Sequence, residues 1–168
     1  RSLALGSFDG VHLGHRRVIE SAIAAAREQG LTSTVVPFPP PPPAVLRPAL
    51  SPHELSTLER RTQLVSEIGP DELVVLRFTP EFSQIDAERF AAEILAERLG
   101  AHRVNVGANF RYGHRAQGTV STLSGGKPAA SRSSRNEFCR LEKTSYSRVL
   151  PLPRQVSTMI RLPWEIPR

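Results

Sequence analysis

The chain has 168 residues, enough for one domain with a sizeable core, and it contains neither an apolar run able to span a bilayer nor a signal-peptide pattern. Its formal net charge is +6, yet basic and acidic residues balance from Arg1 through Leu123 and the whole excess lies between Lys127 and Arg168. A neutral body with few aromatics excludes, as an expectation, a nucleic-acid surface on the main domain.

In chain order, Leu3 to Leu5 reads as a short buried strand that stops at glycines. An alanine-rich helix follows, with Val18, Ile19, Ala22, Ile23 and Ala26 on one stripe and Gly30 as its C-terminal cap. Thr34-Val35-Val36 predicts the second strand, and Pro39 to Pro43 can be neither helix nor central strand. Ser56 with Glu59 forms a capping box, opening a helix that turns Leu58, Val65 and Ile68 inward and ends at Gly69-Pro70. Leu73 to Leu76 is a buried strand. Asp86 caps a helix carrying Phe90, Ile94 and Leu95, which Gly100 closes, and Val104-Asn105-Val106 is a further strand.

Strand and helix alternate, so an α/β fold follows, with a parallel sheet and helices on both faces. Periodicity stops near Ser124, and 124–168 is expected to be an irregular tail, disordered or derived from a frameshift, behind a 1–123 core. A single cysteine, Cys139, cannot form an internal disulfide, as in a reducing, cytoplasmic setting. The sequence has no initial methionine and opens almost inside its first strand, which leads one to expect a fragment. Nothing in it specifies an oligomeric state.

The stretch Gly6-Ser7-Phe8-Asp9-Gly10-Val11-His12-Leu13-Gly14-His15 sits where the first strand hands over to the first helix. A helix N-terminus offers unpaired N–H groups and partial positive charge, a natural seat for phosphate. Gly14 would let backbone approach a ligand, and the His12 and His15 imidazoles would donate to phosphate oxygens. The bland alternative is a corner whose histidines only cap the helix. Ligands of parallel sheets bind at the carboxyl ends of the strands, where this loop lies. Neither Gly-x-Gly-x-x-Gly nor a P-loop is present. His53, His102 and His114 have no partner at metal-ligand spacing and are read as surface residues, so no metal set is assigned to the protein itself.

The signature resembles the Gly-x-Phe-Asp-Gly-x-His-x-Gly-His of the His-x-Gly-His nucleotidylyltransferases, in the form found in prokaryotic FAD synthetases, the FMN adenylyltransferase part of the bifunctional riboflavin kinase/FAD synthetase family. Leu55 to Arg61, Asp71 to Leu76, Phe78 to Phe82 and Gly107 to Gly118 are similar to that family's text, and Val156 to Arg161 resembles its Ser-Ser-Thr-x-Ile-Arg. The resemblance implies a Rossmann-like, doubly wound nucleotidylyltransferase sheet and transfer of AMP from ATP to FMN, giving FAD and pyrophosphate. His12 and His15, with Asn109, would be catalytic. Gly6, Phe8, Asp9, Gly10, Gly14, Ser157, Thr158 and Arg161 would bind ATP, the last three at another helix N-terminus; Asp9 could instead cap a helix. Phe38, Pro40, Asn109, Phe110 and Arg111 would bind FMN, and Mg²⁺ would accompany ATP. Pro39 and Pro41 stand where the family has polar residues after its second strand, Val156 replaces a serine, and the riboflavin kinase domain is missing, so no kinase activity is expected. Two rivals remain: another acceptor for the same fold, and a non-catalytic remnant.

Overall fold

The computed structural model describes residues 1–125 and the short strand at 159–161. Five parallel strands form the sheet, in the order β4-β1-β2-β3-β7. They are β1 (Ser2–Gly6), β2 (Ser33–Pro37), β3 (Glu72–Val75), β4 (Arg103–Asn105) and β7 (Met159–Arg161). A two-stranded antiparallel hairpin, β5 (Arg111–Tyr112) with β6 (Gly118–Thr119), lies beyond β4 in the chain.

Strand alternation divides the core in two. Leu3 and Leu5 of β1, Val36 of β2 and Val74 of β3 face one side, whereas Ala4, Val35 and Leu73 face the other. The second side is covered by α1 (Leu13–Gln29), through Ile19, Ala22 and Ile23, and by Val65 of α3 (Leu58–Ser66). The first side is covered by α4, which starts as an α-helix over Ala87–Arg89, continues as a π-helix over Phe90–Arg98 and contributes Phe90, Ile94 and Leu95. Burying each of the Val, Leu, Ile and Phe side chains contributes roughly 1.5–3 kcal/mol, so the two faces hold the sheet between them. The parallel sheet with helices on both faces is as expected, and α5 (Val120–Gly125) closes the continuous part.

The expected caps at Gly30 and Asp86 are present: Gly30 is left-handed at φ 64°, and the Asp86 carboxylate accepts from the Arg89 N–H. Three local expectations are corrected. The N-cap of α3 is Thr57, whose hydroxyl accepts from the Arg60 N–H; Ser56 is drawn away by tertiary bonds to Asp9 and Gly10. Pro42 and Pro43 do enter a helix, α2 (Pro42–Leu46), because they occupy its first turn, where no intrahelical N–H is needed. Phe90–Arg98 is wound as a π-helix, the Leu99 N–H reaching the Ile94 carbonyl.

The order of strands places the site. From β1 the chain steps outward through β2 to β3, and β4 returns to the opposite flank of β1. The loops leaving β1 and β4 therefore diverge at a switch point, the crevice where open α/β sheets take ligands. Among the described residues no helix is long and apolar enough to cross a membrane.

Candidate functional site

After Gly6 the backbone enters the left-handed region at Phe8 (φ 51°), Gly10 (φ 66°) and Val11 (φ 40°). Left-handed geometry at Phe8 and Val11 costs of order 1–3 kcal/mol each and persists only where the surroundings enforce it. The Phe8 ring is buried and packs under Gly6, where an added Cβ would lie 3.2 Å from the ring. This tight turn delivers His12 to the start of α1.

His12 is the N-cap of α1. Its Nδ1 accepts from the backbone N–H of Gly14 at 3.1 Å and of His15 at 3.3 Å. A ring nitrogen that accepts carries no hydrogen, so the hydrogen sits on Nε2 of this exposed side chain, directed away from the helix as a free donor. Gly14 accommodates this ring. A Cβ there would lie 3.1 Å from the His12 ring, so the glycine makes room for the capping imidazole. The capping alternative thus holds for His12, and it leaves Nε2–H free for a phosphate.

His15 stacks on His12, with ring centroids 3.6 Å apart and planes 21° apart, and meets Phe8 edge-on at 5.4 Å. Its Nδ1 is buried without a hydrogen-bond partner. Burial, followed by the neighbouring His12, lowers the His15 pKa from 6.5 to about 4. At neutral pH His15 is therefore uncharged.

Asp9 does not cap a helix, which corrects that alternative; its carboxylate is held by the segment before α3. It accepts from the Leu55 N–H (2.8 Å), the Ser56 N–H (2.9 Å), the Ser56 hydroxyl (2.7 Å) and Arg61 Nη2 (3.2 Å). Burial opposes ionisation here, but the bonds from Leu55 and Ser56 and the Arg61 charge outweigh it and hold the Asp9 carboxyl below the usual range. Gly10 joins the same clasp, its N–H donating to the Ser56 hydroxyl at 3.1 Å.

A cavity of about 930 Å³ opens beside this loop, with Gly6 and Ser7 in its wall. Phe38, Phe78, Phe82, Phe90, Phe110 and Tyr112 supply its apolar lining, and Arg47, Arg111 and Arg115, all exposed, stand around it. Such a chamber fits a flat apolar ring system carrying an anionic group. Of the expected FMN residues, Phe38, Phe110 and Arg111 line the cavity. Pro40 and Asn109 are exposed and are not part of its wall. His114, expected on the surface, is half-buried, lines the cavity and places Nδ1 3.3 Å from the Ser83 carbonyl.

Ser157 and Thr158 lie outside the described residues. Arg161 ends β7, paired in register with Val75 at the carboxyl edge of the sheet, so the segment closes in a strand where a helix start was expected. Sequence reasoning missed Arg61 and most of the aromatic wall. The signal for the wall was available: of the seven phenylalanines, five line this cavity, and four of those lie between residues 78 and 110. Among the described residues no three His, Cys, Asp or Glu side chains converge as a metal set.

Fold and site together define an α/β domain with a histidine-bearing helix start beside an aromatic chamber at the switch point. The profile of the FAD synthetase family matches residues 1–138, and the chain belongs to that family. Bifunctional riboflavin kinase/FMN adenylyltransferases from Bacillus subtilis and Listeria monocytogenes are 37% and 35% identical over 122 and 123 residues. Those matches cover 72% and 73% of this chain and 38% and 39% of the relatives. The protein of that name from Escherichia coli K12 is 30% identical over 121 residues, with 72% and 39% covered. The chain thus spans about two fifths of the length of these curated relatives. A crystal structure of the Macrolide-efflux Protein from Streptococcus pneumoniae shares the fold, with TM-score 0.67 and 22% identity over 84% of this chain and 52% of that one.

Proposed function

We propose that this domain transfers AMP from ATP to FMN, releasing FAD and pyrophosphate. The observation that carries the reading is the meeting, at Gly6 and Ser7, of the histidine-capped start of α1 with the aromatic, arginine-rimmed cavity. Membership of the FAD synthetase family and the naming of its relatives as FMN adenylyltransferases support it.

In this reading the isoalloxazine ring lies among Phe38, Phe82, Phe110 and Tyr112, and its phosphate is drawn by the guanidinium groups at the rim, Arg111 among them. An FMN phosphate oxygen attacks the α-phosphorus of ATP in line. The new P–O bond forms as the bond from the α-phosphorus to the α,β-bridging oxygen breaks, and pyrophosphate leaves with that electron pair. No covalent enzyme intermediate is required, so the protein's task is placement and charge stabilisation. His12 donates from Nε2 to a phosphate oxygen, and His15 adds a second neutral donor. Asn109, at the end of the loop after β4, orients the acceptor phosphate. Mg²⁺ bound to the triphosphate would neutralise charge on the leaving pyrophosphate.

The test is FAD formation from ATP, Mg²⁺ and FMN by the purified protein, beside a His12→Ala/His15→Ala double variant. FAD from the wild type alone supports the reading. No FAD from well-folded wild-type protein refutes it and favours the non-catalytic remnant.

A further inference from the structure

Arg61 heads the fully buried side chains by size among the described residues, with 1% of its surface exposed, yet it belongs to no hydrophobic cluster. Its Nη1 donates to the Ser7 carbonyl at 3.0 Å. Nη2 faces three acceptors, Asp9 Oδ1 at 3.2 Å, Glu54 Oε2 at 2.7 Å and the Ser56 carbonyl at 3.1 Å, with only two hydrogens to share. Nε is buried with no hydrogen bond at all.

As a stabilising element this is a poor arrangement. Desolvating a guanidinium is costly, and an unpaired buried N–H adds to the cost. What the guanidinium does is geometric. Ser7 and Asp9 flank Phe8, the left-handed residue that redirects the chain toward His12, and the fork grips both of them. Its other bonds reach Glu54 and Ser56, at the end of a segment whose Arg47, Leu50 and Pro52 line the cavity.

We propose that Arg61 is a positioning residue for adenylyl transfer. Its guanidinium bridges Ser7 and Asp9 across Phe8 and holds the loop in the shape that sets His12 and His15 against the nucleotide phosphates. The proposal rests on the adenylyltransferase reading. A lysine at this position would keep the charge but could not span both flanks of Phe8 with one planar fork.

Arg61→Met and Arg61→Lys, made in the full chain, test it through three readouts: thermal melting, FMN affinity by flavin fluorescence quenching, and steady-state kinetics with ATP varied. Arg61→Met is expected to melt below the wild-type temperature, because Asp9 and the Ser7 and Ser56 carbonyls lose their donor, and to keep FMN affinity within about threefold. Its kcat/KM for ATP should fall on the order of 10²-fold, the scale of a small misplacement of catalytic groups. Arg61→Lys should recover only part of that loss. A folded Arg61→Met with near-wild-type kcat/KM overturns the proposal. So does a parallel decline of melting temperature, FMN affinity and ATP kinetics, which would mark a purely structural role. Should Arg61→Met fail to fold, Arg61→Lys and Asp9→Asn decide by the same criteria.

If the wild type forms no FAD, the adenylyltransferase reading fails by itself. Calorimetric MgATP binding then judges the loop: weaker nucleotide binding by a folded Arg61→Met with FMN binding kept supports positioning, and equal binding overturns it. A wild type that binds no MgATP removes both.

Discussion

His12 caps α1 and is proposed to bind phosphate, two roles that substitution can separate. Its Nδ1 caps α1 by accepting from the Gly14 and His15 N–H groups, and its Nε2–H faces outward for a phosphate. His12→Ala removes both. Loss of an N-cap costs about 1 kcal/mol, which for a chain of this size lowers the melting temperature by roughly 3–4 °C. Loss of one preorganised donor to a developing phosphate charge costs about 10²–10³ in turnover. His12→Asn retains a side-chain acceptor at the cap but places no donor where Nε2–H reaches. It should melt within about 1 °C of wild type, asparagine being as good a cap as any residue, while losing FAD synthesis as fully as alanine. Thermal melting by circular dichroism and FAD formation by chromatography measure the two effects. An asparagine variant with substantial turnover would refute the phosphate role, and an alanine variant with an unchanged melt would refute the cap.

Three further outcomes follow from the geometry. Neutral His15 is the folded form, its pKa lowered from 6.5 to about 4, so its contribution is complete above about pH 6.5 and is lost as pH falls through 4. Undiscounted, that change is worth ~3 kcal/mol, and partial exposure reduces it to ~1–2 kcal/mol; urea unfolding of wild type and His15→Phe between pH 7 and about pH 4 should diverge by that amount, and parallel curves would contradict it. Gly113 sits at φ 73° with an added Cβ only 2.6 Å from the Ala87 backbone, so Gly113→Ala should lose about 2–4 kcal/mol in denaturant unfolding; a loss below about 1 kcal/mol would mean that the cavity wall yields easily. Phe110 stacks on Tyr112 at 6.0 Å and 18° beside the cavity. Phe110→Ala should weaken FMN binding about tenfold in a fluorescence titration and leave MgATP binding unchanged, and equal losses for both would deny the cavity its separate role.

The sequence by itself determined whatever depends on near neighbours. Continuous apolar runs in Leu3–Leu5 and Leu73–Leu76 specify buried strands, the stripe from Val18 to Ala26 specifies α1, and Gly30 and Asp86 act as caps, because periodicity and local hydrogen bonding extend over only a few residues. The signature from Gly6 to His15 likewise specifies the tight turn from β1 into α1. Only the tertiary structure decided how the polar groups of that turn are spent. Ser56 looks like the cap of α3, but its hydroxyl bonds Asp9, 47 residues away in sequence, so the cap passes to Thr57. Asp9 looks available to a ligand, but Arg61, 52 residues on, and the Leu55 and Ser56 amides occupy it. The cavity is assembled from the loops after β1 and β2 together with residues 78–116; the clustered phenylalanines hint at an aromatic wall but do not report which loops they meet. A side chain's partners across the fold are set by strand order and packing, and no window of adjacent residues contains either.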